Sequence, residues 1–203
     1  MRTVVFLAAC VACFAQADRP APRTDQNSQI AHEQLLAKKT QGRIDVYFEG
    51  DSITRRWGAT DYPALLENWR ANFTGWNAAD FGWGADRIEN ILWRLENGEL
   101  DGVNPKVIVL LAGTNNIGNN IQAGTEDALV EDVTRGLAAV LRTMRAKAPG
   151  AVILATATAI AAILAYRLAR GETLALPAPF DRMLVFAGAA LTAALALLLT
   201  TRG

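Results

Sequence analysis

Short apolar runs alternate with amphipathic stretches along the middle of the chain. Ile44 to Phe48 is a brief β-branched and aromatic run ending at Gly50 and predicts a strand. Trp76 to Phe81 predicts a second, weaker strand before a turn at Gly82 and Gly84. Lys106 to Ala112 (KVIVLLA) lies between Pro105 and Gly113 and suits a strand buried on both faces. Ala151 to Ala155 predicts a fourth.

Helices are expected between them. Ile30 to Thr40 carries Ile30, Leu35 and Leu36 at helical spacing, and Tyr62 to Arg70 also reads as a helix. Asp86 to Glu96 is strongly amphipathic, with Ile88, Ile91, Leu92 and Leu95 on one face and Asn97-Gly98 closing it. Thr125 to Ala148 is a long helix, with Thr125 as cap and the acids Glu126 and Asp127 in its first turn. Strands alternating with helices predict an α/β fold, a parallel sheet covered on both sides.

The two ends have a different character. Met1 and Arg2, the apolar run Thr3 to Ala15, and Ala15-Gln16-Ala17 follow the order of an export signal, with cleavage expected before Asp18. Both cysteines, Cys10 and Cys13, fall inside that signal, so the mature chain is expected to have neither disulfide nor thiol chemistry. Leu7-Ala8-Ala9-Cys10 offers an alternative lipoprotein cleavage box, with a very short apolar run before it. Residues 18–29, with Pro20 and Pro22, read as a flexible linker.

Residues 158–203 form a hydrophobic tail. Within it Met183 to Thr201 carries no charge and at 1.5 Å per residue reaches roughly 28 Å, close to the thickness of a bilayer core. A transmembrane helix over 183–201 is expected, the alternative being a buried helix. These features predict an exported protein, periplasmic or extracellular, with membrane association through its tail.

Charge narrows the partners. Lys+Arg and Asp+Glu balance at 20 each, which argues against a nucleic-acid surface and fits a small substrate. One histidine and no mature cysteine leave no ligand cluster, so neither metal nor cofactor is expected.

Three stretches can carry chemistry, each directly after a predicted strand. Ser52, in Gly50-Asp51-Ser52-Ile53-Thr54, stands where a turn or helix N-terminus can stabilise developing negative charge, though a capping serine would look the same. Gly82-Trp83-Gly84-Ala85-Asp86 offers a backbone N–H, or is an ordinary turn; it lacks the third glycine of a dinucleotide motif. Gly113-Thr114-Asn115-Asn116 supplies carboxamides that can donate to an oxyanion, or simply form a turn. In a parallel sheet three successive strand ends converge on one edge.

With these motifs in view, Val46 to Thr54 with Trp57 resembles the first sequence block of the SGNH (GDSL-like) hydrolases. Asp80 to Leu95, Glu96 to Leu100, Pro105 to Val109 and Gly113 to Asn116 resemble the platelet-activating factor acetylhydrolase catalytic-subunit branch and its bacterial relatives. The likeness runs from about Ala31 to Thr156. It implies a three-layer α/β/α sandwich of flavodoxin-like topology, an incomplete hydrolase domain over 30–157, and a small ester substrate.

It further implies that Ser52 is the nucleophile of an esterase acting through an acyl-serine intermediate. The Ser52 and Ala85 backbone N–H groups and the Asn115 side chain would form the oxyanion hole, with Asp51, Gly84 and Asn116 beside the substrate. Ala85 stands where the family usually has glycine, and Asp80 where it often has asparagine. The family's C-terminal Asp and His block has no counterpart: no histidine follows His32, and Asp181 has none after it. His32 reads as a structural or surface residue. Impaired catalysis is therefore expected, with a membrane-tethered binding module or a chimaeric or frame-shifted reading frame as alternatives.

Overall fold

In β1 (Val46–Gly50) strand alternation turns Tyr47 and Glu49 to one face of a sheet and Phe48 to the other. The computed structural model describes residues 16–117, 124–155 and 170–171. After α1 (Gln26–Lys38) and β1 come α2 (Ser52–Gly58), α3 (Pro63–Asn72), a 3-10 turn (Thr74–Trp76) and β2 (Ala78–Asp80). Then follow α4 (Ile88–Arg94), a wide π turn (Leu95–Glu99), β3 (Val107–Leu111), α5 (Thr114–Ile117), α6 (Glu126–Lys147) and β4 (Val152–Ala155).

All strand pairs are parallel, in the order β2-β1-β3-β4. Val46 is in register with both Ala78 and Val107, and Gly50 with Leu111. The chain moves from β1 to one side to make β2, then crosses back to make β3. The order therefore reverses beside the carboxyl end of β1, the place where open α/β sheets open a crevice.

The crossovers put helices on opposite faces of the sheet. On one face Phe48 meets Trp69 and Phe73 of the α3 region edge-on, at centroid distances of 5.1 and 5.3 Å. On the other, Tyr47, Ile108, Leu110 and Ile153 are buried with Ile88, Ile91 and Leu92 of α4 and Val133, Leu137, Val140, Leu141 and Met144 of α6. Tyr47 stacks on Phe81 at 4.1 Å. The architecture is three-layer α/β/α, as expected.

Several boundaries differ from the sequence expectation for local reasons. α1 starts at Gln26 rather than Ile30, because the Asp25 carboxylate caps it by accepting from the Ser28 N–H at 3.0 Å. α2 has little periodicity to announce it and is set by the Asp51 cap. α4 passes directly into the π turn, and helical geometry breaks at Asn97 and Gly98, the latter left-handed at φ 106°, where the sequence placed the stop.

The segment expected as a flexible linker is instead fastened along α4. The Ala21 N–H donates to the Glu89 carbonyl at 3.0 Å, and the Asn90 side chain donates to the Ala21 carbonyl at 3.0 Å. Ala17, the last residue of the expected export signal, is fully buried on α6. Its N–H lies 3.1 and 3.3 Å from the two Asp132 carboxylate oxygens. Residues 1–15 of that signal lie outside the described residues, as does the expected transmembrane helix 183–201. Among the described residues no helix is long and apolar enough to cross a membrane.

Candidate active site

Three loops leave the carboxyl ends of β2, β1 and β3, which are adjacent in the sheet. The first follows β1 directly. Asp51 caps α2, its carboxylate accepting from the Ile53 N–H at 2.9 Å, and Ser52 is the first helical residue. Ser52 is half-buried, and its hydroxyl makes no hydrogen bond among the described residues. Asp51 is buried, one carboxylate oxygen lacks a partner, and burial raises its carboxyl above the usual carboxylate range.

The second loop, Phe81 to Arg87, lies against the first. The Phe81 N–H donates to the Phe48 carbonyl at 2.7 Å, and the Trp83 N–H donates to the Gly50 carbonyl at 3.0 Å, so backbone pairing continues past the end of β2. Gly82 is pressed onto the start of α2: a Cβ there would stand 2.5 Å from the Arg55 nitrogen and 2.7 Å from the Thr54 Cβ. Ala85 is exposed and left-handed at φ 61°, a conformation that costs an L-residue roughly 1–2 kcal/mol. Gly84 beside it is half-buried, with its carbonyl accepting from Arg23 at 3.1 Å.

The third loop follows β3. Asn115, half-buried, donates one carboxamide N–H to the Asp86 carbonyl at 2.8 Å. A carboxamide has two such hydrogens, so one remains for an incoming oxygen. Asn116 is buried; its oxygen accepts from the Ile88 N–H at 2.9 Å and its nitrogen donates to Glu89 at 2.8 Å. The carboxamide of Asn115 and the backbone of the second loop are thus joined directly, and the second loop is joined to β1, the strand that leads to Ser52.

Beneath these loops lies a buried charge cluster that the sequence reading missed. The Arg94 guanidinium reaches Asp86 at 2.7 Å through Nε, Glu49 at 2.7 Å through Nη2, and Glu99 through Nη1. Nη1 also donates to the Phe81 carbonyl at 3.0 Å, and Nη2 approaches the Gly50 carbonyl at 3.5 Å. His32 Nδ1 pairs with Glu99 at 2.7 Å, and its ring packs on Trp93.

Burial dominates the titration here. It pushes the Glu49 carboxyl up to about 8, against the opposing pull of Arg94 and with Glu99 and Asp86 adding repulsion. It also raises Asp86, and it lifts Asp80, whose second oxygen has no partner, to about 6. A signal for the cluster was present. Arg94 stands three residues after Ile91, on the apolar stripe of its helix, and Glu49 sits inside an otherwise apolar strand. Among the described residues no three His, Cys, Asp or Glu side chains are placed to hold a metal ion.

Known proteins share this sequence pattern. The human platelet-activating factor acetylhydrolase IB subunit alpha1 is 32% identical over 139 residues, covering 66% of this chain and 54% of that one. The rat alpha2 subunit is 36% identical over 130 residues, covering 64% and 50%. The chain thus spans about half the length of these curated relatives. A solved Bacteroides fragilis structure, provisionally described as an acylhydrolase, superposes with a TM-score of 0.49 at 17% identity, covering 89% of this chain and 97% of that one. The model of the GDSL-like lipase/acylhydrolase family matches residues 48–196, most of the chain, and the protein belongs to that family.

Proposed function

We propose that this hydrolase cleaves small carboxylic esters, with Ser52 as nucleophile. The observation that carries the reading is the joining of three strand-end loops: Trp83 N–H to Gly50 carbonyl, and Asn115 carboxamide to Asp86 carbonyl. In the proposed reaction the Ser52 hydroxyl attacks the ester carbonyl carbon. The carbonyl oxygen becomes an oxyanion, stabilised by the Ser52 and Ala85 backbone N–H groups and the free N–H of Asn115. Collapse expels the alcohol and leaves an acyl-serine, which water then hydrolyses.

The sole histidine of these 203 residues, His32, has its Nδ1 committed to Glu99. A triad histidine also carries a carboxylate on Nδ1, so placement decides: among the described residues His32 meets Glu99 and Trp93, and no hydrogen bond joins it to Ser52. Removing the histidine of a triad costs on the order of 10⁶ in turnover, and roughly 10³ over water survives from the oxyanion hole and binding. Slow turnover is expected. A Ser52 hydroxyl with no histidine hydrogen-bonded to it among the described residues favours one second reading, a binding module that keeps the pocket without efficient chemistry.

The test is release of 4-nitrophenolate from 4-nitrophenyl acetate by the full chain and by Ser52→Ala, alongside labelling with a fluorophosphonate and mapping of the adduct. Turnover lost with Ser52, and an adduct on Ser52, support the ester hydrolase. Equal rates in the two proteins refute it, and saturable acetate-ester binding without an adduct supports the binding module.

A further inference from the structure

One side chain touches the end of β1 and the second loop of the proposed site directly, and the third loop through Asp86. Arg94 is 4% exposed, at the end of α4, and its planar fork meets five acceptors. Two belong to the last residues of β1, the Glu49 carboxylate and the Gly50 carbonyl. Two belong to the second loop, the Phe81 carbonyl and the Asp86 carboxylate. The fifth, Glu99, comes from the π turn. A guanidinium has five N–H groups, so its donors are fully spent within the protein and none is left for a ligand.

The choice of acceptors matters more than their number. The Gly50 carbonyl, where β1 ends, accepts from both Trp83 N–H and Arg94. Asp86 takes Arg94 on its carboxylate and Asn115 on its carbonyl. Arg23 braces the same place, donating to the Gly84 carbonyl at 3.1 Å and reaching Asp86 at 3.4 Å. One rigid group therefore sets the spacing between the strand leading to Ser52, the loop carrying Ala85, and, through Asp86, the Asn115 carboxamide.

We infer that Arg94 is the positioning residue of this site, holding the Ala85 loop and the Asn115 carboxamide in register with the Ser52 turn. The inference rests on the ester-hydrolase reading for its catalytic consequence, not for its geometry. A purely structural buried ion pair would serve stability alone, and such pairs contribute little to it against well-packed apolar substitutes. Lysine is the discriminating substitute: it keeps the charge but offers a point donor in place of a fork, so it cannot span both loops.

The test compares three variants of the full chain with the parent. Arg94→Lys removes the fork. Asp86→Asn keeps the size of the relay and weakens its pairing, and it stands in if Arg94→Lys does not fold. Met144→Ala, a core truncation on α6, supplies loss of stability alone. Hydrogen exchange is followed by mass spectrometry in residues 80–87, 113–117 and 133–144, and kcat and KM are measured separately.

Exchange in the two loops is expected to quicken about 10-fold or more in Arg94→Lys, with the α6 segment within about 2-fold of the parent. Turnover should fall about 100-fold in kcat with KM within about 3-fold, as for a site displaced by about 1 Å. Uniform quickening that matches Met144→Ala at equal Tm, or unchanged loop exchange, overturns the inference. If the parent shows no Ser52-dependent turnover, the hydrolase reading fails by itself and the exchange pattern alone decides the role of Arg94.

Discussion

Gly82→Ala is the sharpest probe of how the second loop is seated. The φ of Gly82 lies outside the left-handed region, so alanine can adopt the backbone there and only space is at issue. An added Cβ would stand 2.5 Å from the Arg55 nitrogen, 2.7 Å from the Thr54 Cβ and 3.0 Å from the Asp51 carbonyl oxygen. Two of these are backbone atoms of the turn around Ser52 and cannot rotate away. Overpacking of this kind costs about 1–3 kcal/mol, and rigid neighbours put the expectation near the upper end. At about 2–4 °C per kcal/mol for a domain of this size, Tm should fall by about 4–10 °C.

Gly84→Ala is the matched control, because nothing lies within 4 Å of a Cβ built there. Reduced freedom of the unfolded chain makes it neutral or stabilising by up to about 1 kcal/mol. Thermal unfolding of the full chains by circular dichroism reads both. Ser52-dependent ester hydrolysis should suffer more in Gly82→Ala, since the loop must lift from α2 to admit the methyl. Tm values for the two variants within about 1 °C of each other would show that the loop is not packed on the Ser52 turn, and the site geometry would fall with it.

Other expectations follow from burial and backbone. The Glu49 carboxyl titrates at about 8 in the folded protein against 4.5 for the free group. The folded state therefore holds a proton that the unfolded chain releases, and this contribution to stability, full below 4.5, is lost as pH rises to about 8. Glu49→Gln removes that loss, so its Tm relative to the parent should climb between pH 5 and pH 8; a pH-independent difference refutes the assignment. Asp132→Ala strands the buried Ala17 N–H and should cost about 1–3 kcal/mol by urea unfolding, with Asp132→Asn recovering part of it. A chain beginning at Asp18 should show the same order of loss relative to one beginning at Gln16, and equal stabilities would mean that Ala17 contributes nothing. Ala85→Gly relieves the left-handed conformation at φ 61° and should raise stability by about 0.5–1 kcal/mol, read as a higher urea midpoint. A lower midpoint would contradict that backbone geometry.

The sequence by itself determined the layered plan. The continuous apolar run KVIVLLA and the stripe Ile88, Ile91, Leu92 and Leu95 are local patterns, and parallel order follows from strands separated by helices. That placed Ser52, Ala85 and Asn115 on loops at one end of neighbouring strands before any coordinates. Short elements were harder: α2 has a capping aspartate but hardly a period, and α1 gained a turn from a cap rather than from apolar residues.

Only the tertiary structure decided which polar and charged groups meet in the interior. Arg94 and Glu49 are 45 residues apart, and Ala17 and Asp132 are 115 apart. No periodicity joins such pairs, because their attraction counts only once packing has removed the water between them. The same packing turned the expected linker into a strap along α4, because its backbone found partners in Glu89 and Asn90 that no neighbouring residue could foretell.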